Sequence, residues 1–81
     1  MITVYSKQMC PYCVKAKQLL DMWGMEYTEV KIDEDAAARD FVLGEGHRSV
    51  PQIYINETCL PGGYDGLSAA GKEKVTTLLE G

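Results

Sequence analysis

The 81-residue sequence predicts an α/β fold: a mixed four-stranded sheet flanked by helices, in the order β-α-β-α-β-β-α. Three observations predict it. Segments at 2–5, 27–32 and 50–55 have the short apolar or alternating pattern of strands. Two segments of helical period separate them. A last strand follows the third after only a turn. The first β-α-β unit implies parallel pairing with a right-handed crossover, and the late hairpin implies an antiparallel pair.

Each element has a local reason. Ile2 and Val4 with Tyr5 form a short buried strand, and Ser6-Lys7-Gln8-Met9 reads as a polar connector. Pro11 suits the first turn of a helix, where its missing N–H costs nothing. Val14, Ala16, Leu19, Leu20 and Trp23 then recur at helical steps, and Gly24 ends the run. Tyr27 to Ile32 alternates as a half-buried strand. Asp33 to Asp35 place acidic groups at the positive end of a second helix, whose apolar face is Ala36, Ala37, Phe41, Val42 and Leu43, closed by Gly44-Glu45-Gly46. Val50 to Ile55 is a third strand, Asn56-Glu57-Thr58 a hairpin turn, and Cys59-Leu60 a short fourth strand. After Pro61-Gly62-Gly63, Asp65 is placed to cap a last helix carrying Leu67, Ala69, Ala70, Val75, Leu78 and Leu79, kinked near Gly71.

Composition narrows the function. Residues 1–81 are expected to form a single domain. Twelve acidic against eight basic residues leave a net charge of −4, without the basic stripe of a nucleic-acid binder. No run approaches a membrane span, and the first residues lack the basic and apolar regions of a secretory signal. Three cysteines, two of them three residues apart, do not form the disulfide framework of a secreted miniprotein. They point to redox chemistry in the cytoplasm. A metal site is not expected, because the remaining donors, Cys59 and His47, lack companion spacing.

Cys10-Pro11-Tyr12-Cys13 falls where the first loop meets the first helix. At a helix N-terminus, unpaired N–H groups and the dipole favour a thiolate at Cys10, and Lys7 adds positive charge. Cys13 is one turn in, and an i, i+3 pair lies ~5–6 Å apart, within reach of a disulfide. One thiol attacks; a second, more buried thiol resolves the mixed disulfide. A C-x-x-C beside a β-α-β unit is the redox signature of the thioredoxin-like layout.

Three blocks together, Cys10-Pro11-Tyr12-Cys13, Ser49-Val50-Pro51-Gln52-Ile53-Tyr54-Ile55 and Gly62-Gly63-Tyr64-Asp65-Gly66-Leu67, make the chain resemble the dithiol glutaredoxins of short bacterial or phage form from end to end. The resemblance implies a cis peptide before Pro51 that turns the Val50 backbone toward Cys10, where an extended cysteinyl segment pairs as an added strand. It implies glutathione as reducing co-substrate, with no tightly bound cofactor. The glycine carboxylate of glutathione would meet Lys7 and Arg39, the latter offset by about one residue from the family's usual position, near Ala38. The γ-glutamyl end would meet the Asp65 side chain and the N–H groups of Asp65 and Gly66. Gly66 departs from the second acidic residue that many glutaredoxins carry there. Tyr12 is placed either to flank the substrate or as a plain exposed aromatic.

The implied activity is reduction of protein disulfides and glutathione mixed disulfides by a monomer. The alternative is a related redoxin that supplies ribonucleotide reductase and is itself reduced by thioredoxin reductase. Such redoxins carry a Trp-Ser-Gly-Phe motif where this chain has Gly-Gly-Tyr-Asp. An iron–sulfur carrier is less favoured, because in this family that role goes with a single active-site cysteine, and here Cys13 and Pro11 are present. Arg48 and His47 read as loop residues near the site, and Cys59 as a small strand residue, with a regulatory thiol or a dimer disulfide as its functional alternative.

Overall fold

A computed structural model describes all residues, Met1–Gly81. Strands β1 (Ile2–Ser6), β2 (Thr28–Lys31), β3 (Gln52–Ile55) and β4 (Thr58–Leu60) form one sheet in the order β2-β1-β3-β4. β1 and β2 are parallel; β3 runs antiparallel to both β1 and β4. Helices α1 (Pro11–Met22), α2 (Ala36–Gly44) and α3 (Gly63–Glu80) pack around it. The expected order and pairing are all present, and the fold is thioredoxin-like.

Strand periodicity divides the sheet into two faces. Ile2 and Val4 of β1 and Ile53 and Ile55 of β3 point to one face. There Ala16 and Leu20 of α1 and Leu67 and Val75 of α3 complete the core with Leu60. Tyr5 and Tyr54 point to the other face. Their rings lie 5.5 Å apart edge-on, and Phe41 of α2 packs on both at 5.5 and 5.6 Å. Only Val42 of α2 is fully buried.

Local chemistry sets the ends. Asp35 caps α2 by accepting from the Ala38 N–H at 3.0 Å. Gly24, at φ 70°, takes the left-handed turn after α1, and the Met25 N–H returns to the Leu20 carbonyl. Asn56 at φ 56° and Glu57 make a two-residue hairpin turn, so β4 begins at Thr58. The kink near Gly71 is present, with φ 79° and ψ 165°.

Several expectations need correction. Ser6 is not in a polar connector: it ends β1, fully buried, and its hydroxyl donates to Glu29 at 2.7 Å. Lys17 of α1 reaches the same carboxylate oxygen at 2.8 Å. Tyr27 and Ile32 flank β2, and Val50 and Pro51 precede β3. Asp65 does not cap α3; Gly62, at φ 90°, occupies that position without a side-chain bond. The packing explains why. The Pro61 carbonyl fills the space a side chain on Gly66 would need, and Pro51 closes on Gly63. The Pro61-Gly62-Gly63 turn is therefore drawn tight against the helix, which starts two residues before Asp65.

Candidate active site

The site begins with the turn into α1. Met9 is in left-handed backbone, φ 59°, and 93% exposed; Cys10 follows as the N-cap, with Pro11 as the first helical residue. Cys10 Sγ accepts from the Cys13 N–H at 3.3 Å, as an N-cap oxygen would in its place. The Cys13 thiol donates to it at 2.6 Å. Both cysteines are free. Two donors thus converge on the Cys10 sulfur, an arrangement that favours negative charge there.

The two thiols differ in cover less than the sequence implies. Cys10 is 8% exposed and Cys13 1%. The Cys10 thiol donates to the Val50 carbonyl at 3.8 Å, which brings that backbone beside the sulfur. Burial, then the hydrogen bond to Cys10, pushes the Cys13 thiol up to about 12.

Val50 follows directly on the loop from α2 and is joined to Pro51 by a cis peptide, as expected. Two clefts meet at it. The first, about 250 Å³, is lined by Tyr12, Val50, Gln52, Tyr64 and Asp65 among others. Tyr12 and Tyr64 face each other at 6.1 Å, and the Lys15 ammonium sits 4.9 Å over the Tyr12 ring. The second, about 110 Å³, is lined by Lys7, Arg39, Arg48 and Val50, with Val42 and His47 below. Thus Lys7 and Arg39 come together on one side of Val50, and Tyr12 and Asp65 on the other.

Gly66 does not join them as expected. Its N–H already donates to the Gly62 carbonyl at 3.1 Å. The N–H groups without a carbonyl one turn back are those of Gly63, Tyr64 and Asp65.

Three residues near the site carry more than the sequence showed. His47 is not a solitary loop histidine: its Nε2 lies 2.9 Å from the Tyr54 hydroxyl and 3.7 Å from Cys59 Sγ. The Tyr64 ring lies tilted by 39° beside that of Tyr12. Gln52 is buried and donates to the Ser49 carbonyl at 2.7 Å. Its signal was there to read, a polar residue inside an otherwise apolar strand. Cys59 is half-buried, and burial pushes its thiol up. No group of three or more His, Cys, Asp or Glu side chains is arranged to hold a metal ion.

The glutaredoxin family model matches residues 2–60, a stretch that holds both cysteines and the cis-proline strand. The chain belongs to the glutaredoxin family. Glutaredoxin 3 of Escherichia coli is 41% identical over 69 residues, covering 84% of this chain and 82% of its own length. Among solved structures, a buckwheat glutaredoxin–glutathione complex superposes with a TM-score of 0.80 at 27% identity, over 98% of this chain and 76% of that one. The glutaredoxin-like NrdH-redoxin of Escherichia coli gives 0.74 at 20% identity, over 80% of this chain and 84% of its own, and shares the fold. As a glutaredoxin, the protein is a thiol–disulfide oxidoreductase. No helix is long and apolar enough to cross a membrane.

Proposed function

We propose that this glutaredoxin reduces glutathione mixed disulfides and protein disulfides with glutathione as reductant, through Cys10 and Cys13. The observation that carries the reading is the pair of clefts meeting at Val50, cationic on one side and acidic on the other, beside the Cys10 sulfur. Glutathione is an extended tripeptide with a carboxylate at one end and a carboxylate and an ammonium at the other. Its glycine carboxylate suits Lys7 and Arg39. Its γ-glutamyl carboxylate suits the first N–H groups of α3, and its ammonium suits the Asp65 carboxylate. Its cysteinyl backbone pairs with the Val50 N–H and C=O, with Tyr12 and Pro51 bordering it.

The Cys10 thiolate attacks one sulfur of the disulfide, forming a Cys10 mixed disulfide, and the other sulfur leaves as a thiolate. For a protein disulfide, Cys13 gives up its proton to that thiolate or to water. It then attacks Cys10, closes Cys10–Cys13 and releases the reduced substrate. One glutathione opens that disulfide and a second removes the first as glutathione disulfide. For a glutathione mixed disulfide, Cys10 and one further glutathione suffice. This chemistry fits a reducing cytoplasm.

The reading is tested by coupled turnover. Glutathione with glutathione reductase is expected to sustain catalysis, and thioredoxin reductase alone is not. The reverse result overturns the assignment in favour of the redoxin type.

A further inference from the structure

The chain buries two polar residues, Ser6 and Gln52. Ser6 is explained by its bond to Glu29. Gln52 has no part in the exchange chemistry, yet it lies beside the reacting edge. Its Nε2 donates to the Ser49 carbonyl at 2.7 Å. A carbonyl only accepts, so the amide nitrogen must face it, which turns Oε1 toward the Cys59 thiol at 3.8 Å.

The Ser49 carbonyl and the Val50 N–H belong to one peptide unit. That unit is trans; the cis bond is the next one, Val50–Pro51. In a planar trans peptide the C=O and N–H point in opposite directions. Whatever holds the Ser49 carbonyl therefore aims the Val50 N–H. The holder is itself rigid, since Gln52 opens β3 in register with Tyr5 of β1. We propose that Gln52 is a positioning residue: its amide locks the Ser49–Val50 peptide so that the Val50 N–H is presented to the cysteinyl backbone of the bound disulfide. This rests on the reading above that Val50 pairs with that backbone. Gln52 acts through Val50 and touches neither sulfur.

Two variants test it. Gln52→Met keeps length and apolar fit but removes the donor. Gln52→Glu keeps shape but sets an acceptor against the Ser49 carbonyl. Two substrates separate the causes. A glutathionylated peptide has a cysteinyl backbone to pair with Val50. Bis(hydroxyethyl) disulfide, attacked directly without glutathione, has none.

For Gln52→Met we expect KM for the glutathionylated peptide to rise about five- to tenfold with kcat nearly unchanged, as for loss of an interaction made equally in ground and transition states. The rate with bis(hydroxyethyl) disulfide is expected to hold, and the Val50 amide resonance to shift in the free protein. Gln52→Glu, if it folds, is expected to show the larger rise. A folded Gln52→Met with unchanged KM overturns the inference, as does an equal loss with both disulfides, which marks a general packing defect. If the wild type shows no preference for the peptide over bis(hydroxyethyl) disulfide, pairing at Val50 fails, and the role of Gln52 fails with it.

Discussion

The two faces of the sheet are covered by unequal means. On one, α1 and α3 close over a continuous aliphatic core, and Cys10 and Cys13 lie at the N-terminal end of α1. On the other, α2 lies alone, held by the Tyr5, Phe41 and Tyr54 rings and by one fully buried side chain, Val42. The first face carries the start of α1, where Cys10 and Cys13 lie. The second delivers Arg39 and leads into the loop that ends at Val50. On the proposed function, chemistry sits on the side with more apolar burial, and part of the glutathione grip on the side with less. Local stability follows buried contacts, so α2 is the element expected to open first.

That division is broken most sharply at the cysteines. Cys10→Ser is expected to reduce every exchange activity to background, because it removes the nucleophile. Cys13→Ser is expected to keep activity toward glutathione mixed disulfides and to lose reduction of protein disulfides. A folded Cys13→Ser lacking both activities contradicts the assigned roles. Burial, which persists when Cys10 is tied up in the mixed disulfide, raises the Cys13 thiol above its ordinary value and so keeps it largely protonated at neutral pH. In the wild type, the resolving step is therefore expected to accelerate with rising pH well above neutrality. Trapping the mixed disulfide by rapid acid quench across a pH series measures it.

The faces themselves are compared by truncation. Leu20→Ala opens a cavity in the aliphatic core and is expected to cost about 3 kcal/mol, within the range for a fully buried leucine. Phe41, 42% exposed, loses less buried surface, and Phe41→Ala is expected to cost about 1 kcal/mol. Urea denaturation of both variants gives the two values. Equal costs would mean that α2 is as firmly held as α1.

These two faces were not equally legible in the sequence. The helices and their starts depend on neighbours within a few residues, so Pro11 and the Asp33–Asp35 cluster announced them, and apolar alternation announced β1 and β3. What the sequence hid was partnership across the fold. Ser6 is buried because Glu29 lies 23 positions away to accept from it, and His47 is anchored because Tyr54 points to the α2 face. Arg48 and Tyr64 border the clefts for the same kind of reason: a loop and a turn deliver them. Asp65 is a good cap by type, yet α3 starts at Gly63. The true start depends on the closeness of Pro61 to Gly66, which no local pattern shows.

A smaller effect is expected where α1 is tied to the sheet. The Lys17 ammonium, and then the Ser6 hydroxyl, hold the Glu29 carboxyl below the usual carboxylate range. A carboxyl depressed in the folded state stabilises it above the unfolded pKa. That contribution is lost as pH falls through the folded value. Glu29→Gln is therefore expected to cost about 1 kcal/mol at neutral pH, discounted for partial exposure, and the gap to wild type should close on acidification below the carboxylate range. Unfolding free energies at neutral and at acid pH check both statements. A gap independent of pH would assign the loss to packing.

The smallest effect belongs to α2. Arg39 is exposed, on the helix with the fewest buried side chains, and shares its cleft with Lys7 and Arg48. Where three cations line one cleft and water competes, losing one charge-assisted hydrogen bond is worth about 0.5–1 kcal/mol, or roughly two- to fivefold in KM for glutathione. Because this end is remote from the sulfur, kcat should not move. Lys7→Ala is the comparison, since Lys7 leaves from the end of β1 and its position does not depend on α2. If α2 is the more mobile side, Lys7→Ala is expected to raise KM at least as much as Arg39→Ala. The double variant should exceed the sum of the two free-energy changes, because each cation partly substitutes for the other. Steady-state turnover with glutathione, against direct reaction with an uncharged disulfide, separates binding from chemistry. A kcat loss in Arg39→Ala, or equal loss with both reagents, would place Arg39 outside the glutathione grip.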